Sequence, residues 1–315
     1  MKHSRIKRLL GLGGSESRRL RRLLTAANLF AISVIAGVII YEVANDRGRV
    51  IADATADAEN LRDVLAEHTR QTFSALGTAL LSISDAVDVT NLSSSQTYQA
   101  LKARQDVATS TYAMYVIDAD GRLAATSRSP WAELVDMSDR PMFNAHRLDP
   151  DLDLRIAAPR MGELGYAKGR WIVNVSRRLY NADRSFAGVV AAAVSIEYLT
   201  NFYDALRVGK DGVVAMLRDD ATVIARSPFD PSIMGRKLQG TVLFTDMLPR
   251  ADQGVYRAPF VTDGVQRITA YKRVAGYPAV VYVGLSVEER LAPWYRRAVI
   301  DGFAGLIAIG MMGGS

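Results

Sequence analysis

The sequence predicts an α+β protein in which a long helix is followed by two tandem antiparallel-sheet modules, with a membrane helix on either side. An uncharged N-terminal run, a long stretch of helical periodicity and a strand pattern that occurs twice support this prediction. The expected segments are a basic tail over 1–22, a membrane helix over 23–43, a helical region over 44–110, a distal module over 111–206, a proximal module over 207–294 and the start of a second membrane helix over 295–315. The modules are named for their expected distance from the membrane.

The basic charge of the chain is concentrated at its N-terminus. The first 22 residues hold eight Lys or Arg side chains and one acid, whereas the remaining residues hold 31 basic and 32 acidic side chains. Nucleic-acid-binding surfaces carry a basic stripe, so this balanced body argues against nucleic acid as a partner. The chain has no cysteine, and His3, His68 and His146 lack metal-ligand spacing. We therefore expect no disulfide, no metal and no cofactor.

The run from Leu23 to Tyr41 contains nineteen residues without a charge. At about 1.5 Å per residue, such a helix crosses nearly the whole hydrocarbon core of a bilayer, which is about 30 Å thick. Arginines precede the run, and Glu42 and Asp46 follow it. The positive-inside rule therefore predicts a cytoplasmic N-terminus. A cleaved signal peptide is the alternative, but the run is long for one and no A-x-A cleavage site follows Tyr41.

A second apolar segment lies at the C-terminal end, where fourteen uncharged residues follow Asp301. A membrane span needs about twenty residues. We interpret the segment as the beginning of a second membrane helix and expect the natural protein to continue beyond Ser315, although an apolar tail of a soluble domain is the alternative. The region between the two helices is expected to lie outside the cytoplasm.

Helical periodicity extends from Asp46 to Val87, where apolar residues recur at three- and four-residue steps. A second helix is predicted over 96–107. The strands that follow alternate in polarity and are separated by turn residues such as Asp120-Gly121. The predicted strands of the distal module cover 112–118, 122–127, 154–158, 170–179 and 186–196, with a glycine-containing turn between 158 and 170, and a short helix follows over 197–206.

Two segments of the distal module recur in the proximal module. VIDADGRLAATS at 116–127 matches MLRDDATVIARS at 216–227, and VVAAAVSIE at 189–197 matches VVYVGLSVE at 280–288. Both matches occur in the same order, which predicts a duplicated module. Each module is expected to hold about five antiparallel strands with helices on one face.

As an ordered set, these segments resemble the double Cache sensor domain, in which two PAS-like modules follow a long helix between two membrane helices. The resemblance covers roughly 44–294 and is carried by VIDADGRLAATS, SDRPMFNAHR, GRWIVNVSRRL, AGVVAAAVSIEYL and GVVAMLRDDATVIARSP. It implies a ligand-sensing input region of a bacterial signalling protein that acts as a parallel homodimer in the inner membrane, with the sensor region in the periplasm. The output domain that it implies first is a diguanylate cyclase, with a histidine kinase or a chemoreceptor as alternatives.

The resemblance also implies a ligand cavity between the sheet and a long loop of the distal module. Along 170–179, Ile172 alternates with polar residues on one face of the strand, and Trp171 shares the other face with valines. The apolar face is expected to pack on the helix and the polar face to line the cavity. The candidate ligand-binding residues are Tyr115, Trp131, Arg140, Asn174, Ser176 and Arg178.

Arg140 is the candidate with a specific role. In Cache sensors the arginine of an S-x-R-x-x-F-like stretch binds a ligand carboxylate, and here the stretch is Ser138 to Phe143. A guanidinium can hold a carboxylate through two parallel hydrogen bonds. The alternative is that Arg140 pairs with Asp136 or Asp139 and fixes the loop.

The chemistry of the ligand is expected to differ from that of the amino-acid-binding Cache domains. Those members place an aspartate on the last distal strand, whereas this strand offers Ser195. The difference favours a small molecule that is a plain carboxylate or an uncharged polar compound. The proximal module has fewer polar candidates, and we expect it to transmit the response rather than bind a ligand.

No nucleotide-binding, zinc-protease, serine-hydrolase or kinase signature occurs in the chain. We therefore expect no catalytic activity within it. A membrane-anchored periplasmic enzyme is the alternative from a different class, and it would need His68 or His146 as a catalytic group. We interpret His68 as a packing residue of the long helix, and His146 as a structural or lid-lining residue.

Overall fold

The computed structural model describes residues 16–313, which divide into two compact units. One unit is Thr55–Ser286, and the other joins the residues up to Ala54 with those from Val287 onward. The first fifteen residues of the predicted basic tail lie outside the described residues, as do the last two residues of the chain. The α+β class predicted from the sequence is confirmed.

The predicted long helix is confirmed as α1, which runs without interruption from Glu16 to Ala86. Within the unit that begins at Thr55, one stripe of the helix is fully or almost fully buried, because its apolar residues recur at helical spacing. The ring of Phe73 lies 5.7 Å from that of Tyr277 in the proximal module, and Gly77 faces Leu154 in the distal module. The stripe comprises Ala58, Leu65, Phe73, Leu76, Leu80 and Ile83.

The distal module is a six-stranded antiparallel sheet with the order β2-β1-β6-β5-β3, and β4 also pairs with β5. Its last strand, β6, therefore lies at the centre beside the first strand. The elements are α2 (Ser95–Gln105), β1 (Thr111–Asp118), β2 (Leu123–Thr126), α3 (Pro141–Leu148), β3 (Leu154–Ile156), β4 (Arg160–Met161), β5 (Trp171–Tyr180), β6 (Phe186–Ser195) and α4 (Ile196–Ala205).

The proximal module repeats this arrangement in a five-stranded sheet with the order β8-β7-β11-β10-β9. Its last strand again lies beside its first. The elements are β7 (Val213–Arg218), β8 (Val223–Ser227), a π-helical turn (Leu243–Met247), β9 (Gln253–Pro259), β10 (Gln266–Arg273) and β11 (Ala279–Ser286).

The duplication predicted from the sequence holds at the level of individual residue pairs. Val116 pairs with Ala125 in the distal hairpin, and Met216 pairs with Ala225 in the proximal hairpin. The register then shifts at the next residue in both hairpins. A shared irregularity of this kind is a designed feature of a strand pair rather than a defect.

One predicted strand is interrupted. The sequence predicts a strand over 154–158, but β3 ends at Ile156, and pairing with β5 resumes in the two-residue strand β4. Pro159 lies between the two strands, and proline has no backbone N–H with which to continue the ladder. The short strand β4 matters because it leads into a glycine-containing hairpin that the sequence analysis described only as a turn.

Beyond the proximal sheet, the chain continues directly into α5 (Val287–Gly313). Within residues 16–313, one helix, α1, contains a stretch that is long and apolar enough to cross a membrane, and none of that stretch is buried. The second membrane helix over 295–315 stays a prediction.

Gly188 marks the closest approach between the two central strands of the distal sheet. Its φ is +140°, and a Cβ at this position would lie 2.2 Å from the carbonyl oxygen of Ile117. A side chain here would meet both backbone strain and a backbone clash. The pairing of β1 with β6 therefore requires glycine at this position.

We expect Gly188→Ala to lower the free energy of unfolding by at least about 2 kcal/mol, since strain and overpacking act together. Denaturant unfolding of the whole chain measures the change. Gly240→Ala is the matched control, because a Cβ at Gly240 meets nothing within 4 Å. Equal losses in the two variants would contradict the assignment of a special role to Gly188.

Candidate ligand-binding site

A cavity of about 260 Å³ lies in the distal module between the sheet and the loops that cover one of its faces. Strands β1, β5 and β6 form the floor through Tyr115, Asn174 and Ala193. Trp131 belongs to the covering loop, and Tyr166 belongs to the hairpin between β4 and β5. The cavity thus lies where sequence reasoning expected it, between the sheet and the long loop.

The cavity exists because the central strand carries small side chains on this face. Ala193 of β6 lines the cavity, and Ala191, two residues earlier on the same face, is fully buried beside Ser176 of β5. In the proximal module the equivalent positions are Tyr282 and Gly284, as the paired registers of the two sheets show. The ring of Phe260 covers Gly284 and lies 5.7 Å from the ring of Tyr282.

The proximal module is correspondingly more filled. Its own cavity is about 160 Å³ and is lined largely by apolar groups, including Tyr256, Phe260 and Tyr282. Arg267 lies over the ring of Phe260 at 4.6 Å and forms a bidentate pair with Asp263 at 2.8 Å. Side chains of the proximal module therefore occupy much of the space that the distal module leaves open.

Two polar groups on the cavity floor have unused hydrogen-bonding capacity. The nearest partner of the Tyr115 hydroxyl is the sulfur of Met142 at 3.8 Å, which is a weak acceptor. Burial raises the pKa of Tyr115, so its hydroxyl is neutral at physiological pH. The Oδ1 atom of Asn174 is buried and accepts no hydrogen bond from the described residues. Such groups in a cavity are suited to a polar ligand, because buried polar atoms otherwise find partners.

The rim of the cavity is aromatic. The side chains of Trp131 and Tyr166 are 82% and 66% exposed although both line the cavity. The guanidinium of Arg128 lies 4.8 Å from the centre of the Tyr166 ring and donates to the carbonyl of Tyr112. Sequence analysis identified Trp131 but missed Tyr166 and Arg128.

Arg140 is not among the residues that line the cavity, and it binds an acid, Glu163, that sequence analysis did not identify. Its Nη2 donates to Oε2 of Glu163 at 2.5 Å, and its Nε lies 3.6 Å from Asp139. Pro141 begins α3 directly after Arg140, which places the arginine at the N-cap without a capping role for its side chain. Arg140 therefore makes the contact with Asp139 that was the alternative to ligand binding, but its contact with Glu163 is shorter.

Glu163 is itself part of the cavity lining, together with Arg160 of β4. The second oxygen of the carboxylate, Oε1, lies 3.6 Å from Nη1 of Arg160. The hydrogen bond from Arg140 lowers the pKa of Glu163, and the nearby charge of Arg160 adds to the effect, so this carboxylate is ionised at neutral pH. One acid therefore bridges two arginines at the wall of the cavity.

Ser176 and Arg178 lie outside the cavity lining, although they share a face of β5 with Asn174. Helix α3 covers this half of the strand, and its His146 is completely buried, with Nε2 3.0 Å from Oγ of Ser176. Arg178 donates to the backbone carbonyl of His146. The pattern of alternation identified the face correctly, but it could not show that a helix occupies the second half of the strand.

Ser195 has a structural contact of its own. It is the N-cap of α4, where its Oγ accepts from the backbone N–H of Tyr198 at 3.1 Å. The residue of the last strand that faces the cavity is Ala193. Consequently, this strand presents no acid and no hydroxyl to a ligand.

Comparison with known proteins gives consistent findings. Residues 196–284 match the family model dCache_1-like, described as a histidine kinase sensor domain. The extracellular domain of a protein described as a histidine kinase, rpHK1S-Z16, has a TM-score of 0.67 at 32% identity, and the match covers 78% of this chain and 99% of that chain. No curated protein sequence gives a significant match.

More distant structures share the fold. The ligand-binding domain of the Pseudomonas fluorescens chemoreceptor CtaA, in complex with L-isoleucine, has a TM-score of 0.58 at 17% identity, and the match covers 78% of this chain and 98% of that chain. The ligand-binding domain of the Pseudomonas aeruginosa PAO1 amino acid chemoreceptor PctB, in complex with L-Gln, has a TM-score of 0.57 at 17% identity, with coverage of 74% and 91%.

We expect the stability of the protein to depend on pH through His146. Burial lowers its pKa from 6.5 to about 4 in the folded protein. Below pH 6.5 the unfolded chain therefore binds a proton here that the folded chain does not. The stability from this residue is complete above pH 6.5 and falls as the pH approaches 4, with a loss of about 2 kcal/mol between pH 7 and pH 5. Unfolding at several pH values, compared with His146→Gln, measures it. Parallel pH profiles for the two proteins would contradict the prediction.

Proposed function

Because the chain belongs to the double Cache family of extracellular sensor domains, we propose that it is the ligand-binding input region of a transmembrane signalling receptor. The related sensor domain at 32% identity aligns over almost its whole length with this chain, which supports a shared role. The proposed role has three parts: a ligand site, a connection to the membrane and an output.

The ligand site that we propose is the distal cavity. The observation that carries this proposal is the space of about 260 Å³ over Ala193 of the central strand, which is also lined by Tyr115 and Asn174. A concave, largely apolar cavity with a few convergent polar groups is the usual form of a small-molecule site. Tyr115, Trp131 and Asn174 are the proposed contacts from the original candidates, with Arg160 added from the wall.

The cavity favours a small ligand with an anionic or polar group. Arg160 and Arg128 supply cationic donors at the wall and rim. L-Isoleucine and L-Gln occupy related domains, so amino acids belong among the candidates. Ala193, however, leaves the last strand without an acid to receive an ammonium group. A plain carboxylate or an uncharged polar compound is therefore our first candidate.

Membrane attachment through α1 is the second part of the proposal. The apolar stretch of α1 ends at Tyr41, and in the same unit Trp294 donates through Nε1 to the carbonyl of Val43 at 3.0 Å. Tyr295 stacks edge-on against Trp294 at 4.8 Å. Tyrosine and tryptophan at the ends of apolar helices are typical of a membrane interface. We infer that the N-terminus is cytoplasmic and that α5 leads back into the membrane.

The output that we propose is a cytoplasmic histidine kinase, because the relative at 32% identity is a histidine kinase sensor. A diguanylate cyclase, which the sequence resemblance implied first, and a chemoreceptor are the alternatives. We also propose that two copies act in parallel along α1. A periplasmic enzyme is disfavoured, since His146 is buried against Ser176 and His68 stacks on Phe202 at 3.6 Å.

We expect Ala193→Leu to abolish ligand binding by filling the distal cavity. The full chain in detergent micelles is screened by thermal shift against small carboxylates, amino acids and neutral amides. A ligand at 100 times its Kd stabilises the folded state by about 2.7 kcal/mol, so a ligand for the wild type raises the melting temperature by several degrees. The variant is expected to lose this response while it stays folded.

Ala258→Leu, which narrows the proximal cavity, is the matched control and should leave the response intact. If Ala258→Leu loses the response and Ala193→Leu keeps it, the ligand site lies in the proximal module. If no compound of these classes stabilises the wild type, the proposed ligand chemistry is wrong.

We expect a reporter that is active only in the periplasm to be active when it is fused at Asn181, in the turn between β5 and β6. The reason is the basic segment before the uncharged run of α1. A silent periplasmic reporter, together with an active cytoplasmic reporter at the same position, would reverse the topology.

A further inference from the structure

Building on the proposed distal ligand site, we propose that Glu163 is an internal competitor of the ligand. Its carboxylate occupies the arginine pair formed by Arg140 and Arg160, and an anionic group of the ligand takes its place. Binding then requires the exchange of one carboxylate for another. This exchange makes Glu163 a residue that sets the affinity and the charge selectivity of the sensor.

The geometry of the pair is that of a carboxylate site. The two oxygens of Glu163 face different arginines, with Oε2 2.5 Å from Nη2 of Arg140 and Oε1 3.6 Å from Nη1 of Arg160. A free carboxylate has the same two oxygens and the same charge. Guanidinium groups bind such anions through fixed planar donors, and they do not distinguish a carboxylate of the chain from one that arrives by diffusion.

The exposure of the three side chains favours this exchange, because the arginines are more buried than the acid. The side chains of Arg140 and Arg160 are only 23% and 28% exposed, whereas that of Glu163 is 55% exposed. Nε of Arg140 is buried without a hydrogen bond among the described residues. Both guanidinium groups are therefore partly desolvated, and Arg140 keeps one donor without a hydrogen bond. Both features increase the attraction of the pair for an anion.

The chain around Glu163 allows it to leave. Gly165, two residues later, has a φ of +49° with no neighbour within 4 Å of a Cβ, and the Tyr166 that follows is largely exposed. Arg140, in contrast, is fixed at both backbone groups: its N–H donates to Met137 and its carbonyl accepts from Asn144. The acid can rotate into solvent while the arginines stay in place.

Glu163 and Arg160 line the same cavity as Tyr115, so an anion that replaces the acid enters the cavity whose floor carries the Tyr115 hydroxyl. Burial raises the pKa of Tyr115, and the positive charges of Arg160 and Arg140 act against this effect. The opposite interpretation is that Glu163 stays in place and accepts a ligand's ammonium group, and the two interpretations predict opposite effects of removing its charge.

The test uses acetate as the probe, so it does not depend on the identity of the natural ligand. The melting temperature of the full chain in micelles is measured in sodium acetate and in sodium chloride at equal ionic strength. In Glu163→Gln the arginines lose their internal partner, and the apparent affinity for acetate is expected to rise about tenfold over the wild type, as expected for a freed charge-assisted hydrogen bond. Glu163→Asp, whose shorter side chain reaches the arginines less well, should give an intermediate response.

Two controls distinguish an effect of the arginine pair from a general effect of removing a negative charge near the cavity. Glu133→Gln removes the same charge from the lining of the cavity, where Glu133 has no ion pair within the described residues, and it should respond to acetate as the wild type does. Arg140→Gln combined with Glu163→Gln should lose the gain. Arg160→Gln in the same background gives a second measure if the first double variant is unstable.

An acetate response in Glu163→Gln no greater than that of the wild type would overturn the proposal. A methylammonium response of the wild type that disappears in Glu163→Gln would also overturn it, because Glu163 would then bind a cation. These results are distinct from failure of the proposed sensor function. If Glu163→Gln gains acetate affinity but Ala193→Leu leaves every ligand response unchanged, the arginine pair is an anion site and the cavity is not the sensory site.

Discussion

The volume of the side chains on the central strand decides what each module of this protein holds. Strands β6 and β11 occupy the same position beside the first strand of their sheets. Ala193 lines the cavity over β6, whereas Tyr282 and Phe260, whose ring covers Gly284, occupy much of the corresponding space over β11. Protein interiors are close-packed, so a difference in side-chain volume at these positions changes how much space each copy of the duplicated module leaves open.

The closer packing of the proximal module supports the proposal that this module transmits the response, because a packed core deforms little. In each module the last strand runs straight into a helix: β6 ends at Ser195 and α4 begins at Ile196, and β11 ends at Ser286 and α5 begins at Val287. A ligand that moves the floor of the distal cavity therefore acts on a strand that is covalently continuous with α4. Helix α4 in turn stacks its Phe202 on His68 of α1.

Much of the fold was accessible from the sequence because it depends on local periodicity. The segment 116–127 and its copy at 216–227 predicted two equivalent strand pairs. In the structure the two hairpins share a register shift at the same position. The contrast between Ala191 and Tyr282 was also visible in the aligned segments VVAAAVSIE and VVYVGLSVE. Identical positions indicate a shared backbone, whereas the size of the cavity depends on positions at which the two copies differ.

The site was less accessible, because its contacts join segments that are far apart in sequence. Alternation along β5 identified the face that carries Asn174, but the burial of Ser176 under His146 depends on where α3 lies. Arg140 has its closest acidic contact 23 residues away in Glu163. Neither periodicity nor spacing reports such a pair, and the glycines that flank Glu163 indicated only a turn.

An internal competitor changes the ligand concentration at which a sensor responds. An anion binds only to the fraction of molecules in which Glu163 has left the arginine pair. The apparent Kd rises in inverse proportion to that fraction. The loss of affinity shifts the response to higher ligand concentrations without any change in the cavity. Glu163 is more exposed than the arginines that it bridges, so substitutions here alter the threshold while the packed sheet beneath stays unchanged. The affinity and the fold are then controlled by separate residues, and the sensor can be tuned to different concentrations without losing the core that holds its cavity open.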